Sequence, residues 1–276
     1  MRLISLCPSL TELLFDLGAG PEVVGRTKFC VHPQGLVDRI EKLGGTKNPK
    51  LDRIVALQPD IVYMNEEENR REDAEALLAH GVRVDASMPR TVEETAVMVE
   101  TIAASAGRGI AGARIAGDIR KRAARVRASV VQSGRAVTFA YLIWREPYMT
   151  VSDATFVGAL LSLAGGVNVF GAMADRYPEV TALQLARARP QVVLLSTEPF
   201  PFDDRHADEL ARATGLGRGR FRIVDGELLS WHGSRTARGI DYADDVLSAV
   251  QAGVSAGTDD GGRKDRDVSS MEERDA

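Results

Sequence analysis

Residues 51–67 read LDRIVALQPDIVYMNEE, and residues 183–199 read LQLARARPQVVLLSTEP. Each stretch begins with helical spacing, passes a proline, continues as an apolar run of strand length and ends in an acidic exit. Glu67 and Glu198 follow those prolines at the same spacing. The repeated order predicts two related helix–strand units. Both glutamates are expected where a strand ends, at the edge where open α/β sheets bind ligands.

The N-terminal residues, MRLISLCPSLTELLFDLG, predict a strand, a turn and a helix from the first residues of the chain. Ser9 and Glu12 have the spacing of a capping box, and leucines at helical spacing follow them up to Gly18. Only four residues separate Arg2 from Cys7, whereas the apolar region of an export signal needs about 7 to 15. We therefore expect no export signal and a cytoplasmic location as written. A start further upstream would instead predict a periplasmic or cell-surface location.

The elements that follow alternate short apolar strands with helices, which is typical of a parallel sheet covered by helices. From residue 91 to about 130 the chain keeps a helical period without a strand signal, and a capping box at Thr91 opens this stretch. Gly107 and Gly109 are expected to bend or interrupt it. The stretch is predicted to be a connecting rod. The predicted strands are residues 3–6, 23–27, 61–64 and 82–86 in the first half and 137–143, 192–196 and 221–224 in the second, and a polar helix is predicted over 69–80.

The composition of the chain excludes several classes of protein. It has 276 residues, 44% of them hydrophobic, and its apolar runs stay well below the roughly 18 residues of a membrane span. The net charge of −4 gives no electrostatic case for a nucleic-acid partner. Cys7 and Cys30 fit no common zinc spacing, so we expect two free, buried thiols in a reducing compartment. Residues 256–276 are polar and charged and are predicted to be a disordered tail.

Catalytic signatures are mostly missing from the sequence. It contains no phosphate-binding loop, no H-E-x-x-H and no G-x-S-x-G, and its glycine-rich residues 215–219 precede a strand, which favours a plain turn. His206 lies in a polar helix start and is expected to be solvated. His32 follows a strand and His232 adjoins Trp231, so both are candidates for contact with a ligand.

Aromatic residues are scarce, which makes their positions informative. Trp144, Phe200, Phe202 and Trp231 lie in loops punctuated by proline or glycine, just beyond predicted strands of the second half. Because these strand ends are predicted to lie on one edge of a sheet, the loops together predict a surface for a flat, largely apolar ligand.

Four segments carry a resemblance to one family. They are ISL-x-PSLTE at 4–12, Gly44-Gly45, L-x-PDIV at 57–62 and GG-x-NVF at 165–170. Together they resemble the substrate-binding proteins of ABC importers for cobalamin, haem and ferric siderophores. The resemblance implies an α/β fold of two Rossmann-like lobes, joined by a single long rigid helix, with a ligand cleft between the lobes. The corresponding units are an N-terminal lobe at 1–90, a connecting helix at 91–130 and a C-terminal lobe at 131–255.

The resemblance also implies which residues serve the ligand and a partner. The ligand would be a small metal chelate, cobalamin or a related corrinoid first, bound without catalysis, cofactor or protein-held metal. Trp231 is the best single candidate, because members that bind cobalamin place an aromatic of the matching loop against the corrin. Glu67, or its neighbours Glu66 and Glu68, and Glu198 would dock a monomeric receptor onto an ABC permease. The implied ligand contacts are Pro8, Ser9, Phe29, Cys30, His32, Asn65 and Asn69 in the first lobe, and Trp144, Arg145, Phe200, Phe202, Trp231 and His232 in the second.

The sequence leaves two other functions open. A tetrapyrrole-handling or nucleotide-sugar enzyme on a similar two-lobed frame would use His32, His206 and His232, with the paired glutamates, as acid and base candidates. A direct receptor for a divalent metal ion would instead combine Cys30 with the same three histidines.

Overall fold

The computed structural model describes residues 1–259, with side-chain environments up to residue 253. The first lobe is made of β1 (Leu3–Ser5), α1 (Pro8–Asp16), β2 (Val23–Arg26), β3 (Glu41–Lys42), α2 (Leu51–Ala56), β4 (Ile61–Asn65), α3 (Arg71–Ala79) and β5 (Val84–Ser87). Its strands form one sheet in the order β3-β2-β1-β4-β5, and all neighbours are parallel. Strands β1 and β4 are buried throughout, which explains why their sequences are mostly apolar without alternation.

Two helices, α4 (Val92–Ser105) and α5 (Gly109–Ser133), lead to the second lobe. That lobe is made of β6 (Val137–Trp144), β7 (Met149–Thr150), α6 (Phe156–Leu163), β8 (Gly166–Asn168), α7 (Ala182–Ala188), β9 (Val192–Ser196), α8 (Asp204–Thr214), β10 (Phe221–Val224), α9 (Gly226–Ser230) and α10 (Thr236–Asp259). Strands β10, β9 and β6 are parallel neighbours in that order. Strand β7 runs antiparallel to the end of β6, and β8 runs parallel to its beginning.

The expected α/β fold of two lobes is therefore confirmed, and each predicted strand is present to within two residues at either end. The polar helix predicted over 69–80 is α3. Residues 215–219, predicted to be a plain turn, comprise the left-handed Gly215 that ends α8, an irregular segment and the start of a short 3-10 helix, Arg218–Arg220. Strands β3, β7 and β8 escaped prediction, because two or three residues are too short to show a period.

The connecting stretch differs from the expectation, because it contains two helices instead of one. The chain reverses after α4, and Arg120 of α5 pairs with both Glu93 and Glu100 of α4, which shows that the helices run antiparallel. Gly112 makes their close approach possible, since a Cβ atom there would overlap the Cβ of Ala103. Helix α5 alone spans roughly 37 Å and delivers the chain to β6, so it is the long helix that joins the lobes, and α4 packs against it.

One of the two predicted helix caps is confirmed. The amide of Glu94 donates to Thr91 Oγ1 at 3.1 Å, which caps α4. The capping box predicted at Ser9 and Glu12 is wrong, because α1 already begins at Pro8 and leaves Ser9 inside the first turn. Proline suits that first position, since it has no amide hydrogen to satisfy.

A continuous apolar core passes through both lobes. It includes Leu10 and Tyr63 in the first lobe, Ile119 in α5, and Phe139 and Ile240 in the second lobe. Neither α5 nor any other helix in residues 1–259 combines the length and apolarity that crossing a bilayer requires. Helix α10 extends to residue 259, and the rest of the predicted tail lies outside the described residues.

Candidate functional site between the lobes

The carboxyl ends of the two sheets face each other. In the first lobe, the loops after β2 and β4 carry His32 and Glu67. Both side chains contact the second lobe, where their partners lie in the loop after β8 and in the segment from α9 to α10. The side chains that meet here form what we call the interlobe site: Glu12, His32, Asn65, Glu67, Arg176, Tyr177, Glu198, Glu227, Trp231, His232 and Arg235.

Arg235 anchors the second lobe to the first. Its Nε and Nη2 donate to the two carboxylate oxygens of Glu12 at 2.8 and 2.7 Å, and its Nη1 donates to Glu227. The side chains of Arg235 and Glu12 are only 10% and 16% exposed. A bidentate pair with so little water around it holds a fixed geometry between α1 and the start of α10.

Glu67 forms a second bridge between the lobes. Its Oε1 accepts hydrogen bonds from Arg176 Nη2 at 2.5 Å and from the hydroxyl of Tyr177 at 2.8 Å. Burial of the phenol raises the pKa of Tyr177, and the carboxylate of Glu67 acts in the same direction. Docking onto a permease therefore stays a prediction for Glu67, whose carboxylate already has two partners in the second lobe.

Trp231 is held from several sides. Its Nε1 donates to Glu198 Oε1 at 2.5 Å, and the guanidinium of Arg235 lies 4.7 Å from the ring centroid. The ring of His32, from the first lobe, meets it edge-on at 5.6 Å. His32 Nε2 also lies 3.2 Å from Glu227 Oε2. The indole is partly exposed and has little freedom to rotate, which suits a ring that stacks against a flat ligand.

His232 and Asn65 join the lobes through neutral groups. Asn65 Nδ2 lies 3.2 Å from His232 Nε2 and donates to it, and it also donates to the carbonyl of Ser87. Burial lowers the pKa of His232 to about 4, because the charged imidazolium would lose its water. His232 is therefore neutral near pH 7 and able to accept that hydrogen bond.

Glu198 follows β9 at the place predicted for it. Its carboxyl group accepts hydrogen bonds from Trp231 Nε1 and, at 3.2 Å, from the hydroxyl of Ser230. Burial raises the pKa of Glu198 to about 7, and the nearby carboxylate of Glu227 acts in the same direction. Like that of Glu67, its docking role stays a prediction.

A pair of aromatic side chains lies beside this region in the second lobe. The rings of Trp144 and Phe200 meet edge-on at 5.9 Å, and Trp144 is 40% exposed. His206 stacks edge-on against Phe200 at 5.1 Å, so it is packed instead of solvated as expected. Arg145 pairs with Glu209 at 2.9 Å. The predicted aromatic loops do present partly exposed rings.

Four predicted ligand contacts are buried inside their own lobe. Cys30 is fully buried, with its Sγ 3.1 Å from Thr27 Oγ1, and Ser9 and Phe202 are 5% and 3% exposed. Asn69 donates to the carbonyls of Leu6 and Thr46, which ties the first-lobe loops together. Ligand contact stays a prediction for these four residues, whose side chains expose almost no surface. The other first-lobe candidates, Pro8 and Phe29, are half-buried and half-exposed, respectively.

Cys30, His32, His206 and His232 do not come together. Their partners are Thr27, Glu227, Asp203 and Asn65, respectively. Within residues 1–259 no group of three or more histidine, cysteine or carboxylate side chains is placed to hold a metal ion. The arrangement that a direct receptor for a divalent metal requires is thus not found in the described part of the chain. Cys7 and Cys30 are free and buried, as predicted.

Sequence reasoning missed several members of the interlobe site. Arg235 and Glu227 flank Trp231 along the chain, so proximity to the best candidate was a usable signal. Glu12 was assigned to a helix cap. Arg176 and Tyr177 lie in a loop with no periodicity or motif, and the sequence offered no sign of them.

Two α/β lobes that meet at the carboxyl ends of their strands, with polar bridges and partly exposed aromatic rings between them, define a two-lobed binding protein. A family model described as "Periplasmic binding protein" matches residues 3–218. The chain therefore belongs to the periplasmic binding protein family, in agreement with the resemblance noted in its sequence.

Characterised relatives and solved structures agree with this assignment. A vitamin B12-binding protein of Vibrio campbellii is 25% identical over 239 residues, covering 87% of this chain and 86% of the relative. A vitamin B12-binding protein of Vibrio parahaemolyticus is 28% identical over 202 residues, covering 73% of each. The structure is similar to the periplasmic vitamin B12-binding protein BtuF of Vibrio cholerae, with a TM-score of 0.78 at 22% identity over 91% of this chain and 97% of that one. The periplasmic haem-binding protein RhuT of Roseiflexus sp. RS-1 gives the same TM-score and identity, over 91% and 98%.

Proposed function

We propose that this protein is a non-catalytic receptor that binds one corrinoid, cobalamin first, between its lobes and delivers it to an ABC importer. The observation that carries the proposal is Trp231, a partly exposed indole fixed between both lobes at the edge where the sheets meet. Family membership and the vitamin B12-binding relatives support the same function.

The charges of the interlobe site favour an uncharged ligand over an anionic one. Arg176 is paired with Glu67, and Arg235 is paired with Glu12 and Glu227. A haem would bring two propionate carboxylates, which would have to compete with these glutamates for the arginines. A corrinoid bears carboxamides at its rim, which can donate to carboxylates and accept from arginine without displacing either. The arrangement therefore supports a corrinoid more than a haem.

The surroundings of two histidines weigh against an enzyme. His232 is buried, and its Nε2 accepts a hydrogen bond from Asn65. His206 Nδ1 accepts a hydrogen bond from the amide of Asp203 at the start of α8, so neither histidine is placed to exchange a proton with a ligand. Binding alone accounts for the geometry. The assay below also tests for an enzyme, since turnover would appear as a chemical change in the ligand.

Calorimetric titration of the full chain with cyanocobalamin, hemin and a ferric siderophore tests the proposal. We expect saturable binding of one cobalamin per chain and much weaker binding of hemin. Replacing Trp231 by alanine should weaken cobalamin binding at least tenfold, because a central aromatic ring carries a large share of the binding energy. Leu78→Ala is the matched control, since Leu78 is an exposed apolar residue on α3. No saturable binding of cobalamin would overturn the proposal.

A location outside the cytoplasm belongs to the same proposal, and it rests on family membership. Fractionation of the native cells, with an antibody against the chain, tests it directly. We expect the protein in the periplasmic or cell-surface fraction, and recovery in the cytoplasm alone would contradict this part.

A further inference from the structure

We propose that Glu198 is a positioning residue for Trp231 and that it couples ligand binding at the indole to the uptake of one proton. The coupling rests on the proposed function, whereas the positioning of Trp231 does not. Neither role follows from the docking function that the sequence suggested for Glu198.

Hydrogen bonds and close packing hold the backbone of Glu198 in place. Ser196 Oγ donates to the carbonyl of Glu198 at 2.5 Å, and the hydroxyl of Tyr141 donates to Ser196 Oγ at 2.9 Å. Gly226 of α9 packs directly against Glu198, since a Cβ atom at Gly226 would lie 2.7 Å from Glu198 Cγ. The position of this carboxyl group is thus determined by β6, β9 and α9 together.

The carboxyl group uses this fixed position to hold the indole. Its Oε1 accepts from Trp231 Nε1 at 2.5 Å and from Ser230 Oγ at 3.2 Å. Both donors are uncharged, so no cation neutralises Glu198 through these bonds. The indole N–H points into the second lobe, Arg235 lies over the ring and His32 meets it edge-on, while part of the ring remains exposed.

The charged and titratable groups around Glu198 disfavour its ionised form on balance. Glu227 on α9 and Glu68 from the first lobe both act against a negative charge, and Tyr141 faces it from β6. Arg235 and His32 lie nearby, but both contact Glu227. The carboxylate of Glu227 therefore offsets much of the stabilisation that they would give to an ionised Glu198. With burial as the main cause, the pKa of Glu198 is raised to about 7.

A ligand that covers Trp231 would remove more water from Glu198 and favour its protonated form further. Above pH 7, where Glu198 of the ligand-free protein is mostly ionised, binding would then transfer up to one proton from solvent to a Glu198 oxygen, and release of the ligand would return it. The affinity should accordingly fall as the pH rises above 7, by up to about tenfold for each unit of pKa shift that the ligand causes.

Fluorescence of the ligand-free protein tests the positioning role. The chain has two tryptophans, so Trp144→Phe leaves Trp231 as the sole indole emitter. We expect its emission to change between pH 5.5 and 8.5 with a midpoint near 7, and we expect Glu198→Gln to abolish that transition. Glu75→Gln, at an exposed pair on α3, is the matched control and should leave it unchanged. A transition that survives Glu198→Gln would overturn the positioning role.

Calorimetry with cyanocobalamin at pH 6, 7 and 8 tests the coupling. We expect the wild-type affinity to be several-fold weaker at pH 8 than at pH 6, with proton uptake visible as a dependence of the heat on the buffer. Glu198→Gln should bind with an affinity that varies less than twofold. Equal pH profiles for both proteins would overturn the coupling. Absence of cobalamin binding would overturn the proposed function and the coupling together, while the fluorescence result would still decide the positioning role.

Discussion

Glu67 and Glu198 occupy equivalent positions in the two lobes, yet their carboxyl groups have opposite surroundings. Each stands two residues beyond the end of its strand, β4 or β9. Glu67 reaches across to Arg176 and Tyr177 of the other lobe, whereas Glu198 turns back to Trp231 and Ser230 of its own. The repeated local sequence places a carboxylate at the same edge twice. The partners of each carboxylate lie outside the repeat.

The largest effect is expected from separating the lobes at Arg235. Replacing Arg235 by alanine leaves Glu12 and Glu227 as poorly hydrated carboxylates without their partner. We expect the free energy of unfolding to fall by about 3 kcal/mol, measured by urea denaturation. Arg53→Ala is the control, because its pair with Glu41 is largely exposed and should contribute no more than about 1 kcal/mol. Equal losses in the two variants would contradict a special role for the interlobe pair.

Acidification should weaken the neutral bridge between Asn65 and His232. The folded-state pKa of His232 is about 4, below its ordinary value of about 6.5, so the unfolded chain binds more protons between these pH values. The stability from this group is therefore present above pH 6.5 and is lost as the pH falls towards 4, by up to about 3 kcal/mol. Thermal unfolding between pH 4 and 7 should show a shallower slope for His232→Gln than for the wild type. Identical slopes would show that His232 does not titrate in the folded state as described.

Breaking the bridge at Glu67 should have a moderate effect. Arg176→Ala leaves Glu67 with the hydroxyl of Tyr177 alone, and both charged side chains are about one quarter exposed. We expect a loss of about 1 to 2 kcal/mol in urea denaturation. The double variant with Glu67→Gln should lose less than the sum of the single variants, because the two residues share one interaction. Strict additivity would mean that the pair contributes nothing of its own.

The smallest effect, and the one with the opposite sign, is expected at Glu198. Because its folded-state pKa is raised, the wild type loses stability as the pH rises from about 4.5 through about 7. Glu198→Gln removes this loss but replaces the hydrogen bonds that a carboxylate accepts from Trp231 and Ser230 by weaker neutral ones, so the net gain at pH 8 should be only about 1 kcal/mol. Glu67→Gln at the same pH should be destabilised. If Glu198→Gln and Glu67→Gln changed the free energy of unfolding in the same direction, the two glutamates would not differ as described.

The sequence predicted the elements well and their long-range partners poorly. Strands such as β4 and β9 are apolar runs beside prolines, which local spacing can identify. Residues 106–108 reverse the chain between α4 and α5. Gly107 and Gly109 indicated an interruption there, but the helical period on either side gave no sign that the chain turns back.

In the interlobe site, too, local patterns were predicted and long-range pairs were not. The aromatic loops were found because strand ends share one edge. Arg235 and Glu12, in contrast, lie 223 residues apart, and a pairing over that distance leaves no period to detect. The partners of a side chain, and not its position after a strand, distinguish the candidates. Cys30 and Asn69 follow strands as His32 and Asn65 do, but the first two bond within their own lobe, whereas His32 and Asn65 contact the other lobe.

The apolar core shared by the two lobes and α5 has a consequence for how the molecule melts and moves. Each lobe also has an apolar cluster of its own, but unpacking either lobe would expose part of the core that it shares with the other. Heating should therefore produce a single cooperative transition, in which calorimetric and van't Hoff enthalpies agree. We expect the same continuity to restrict any relative swing of the lobes to small angles, so that a ligand would enter and leave by side-chain rearrangement at the rim more than by a wide hinge.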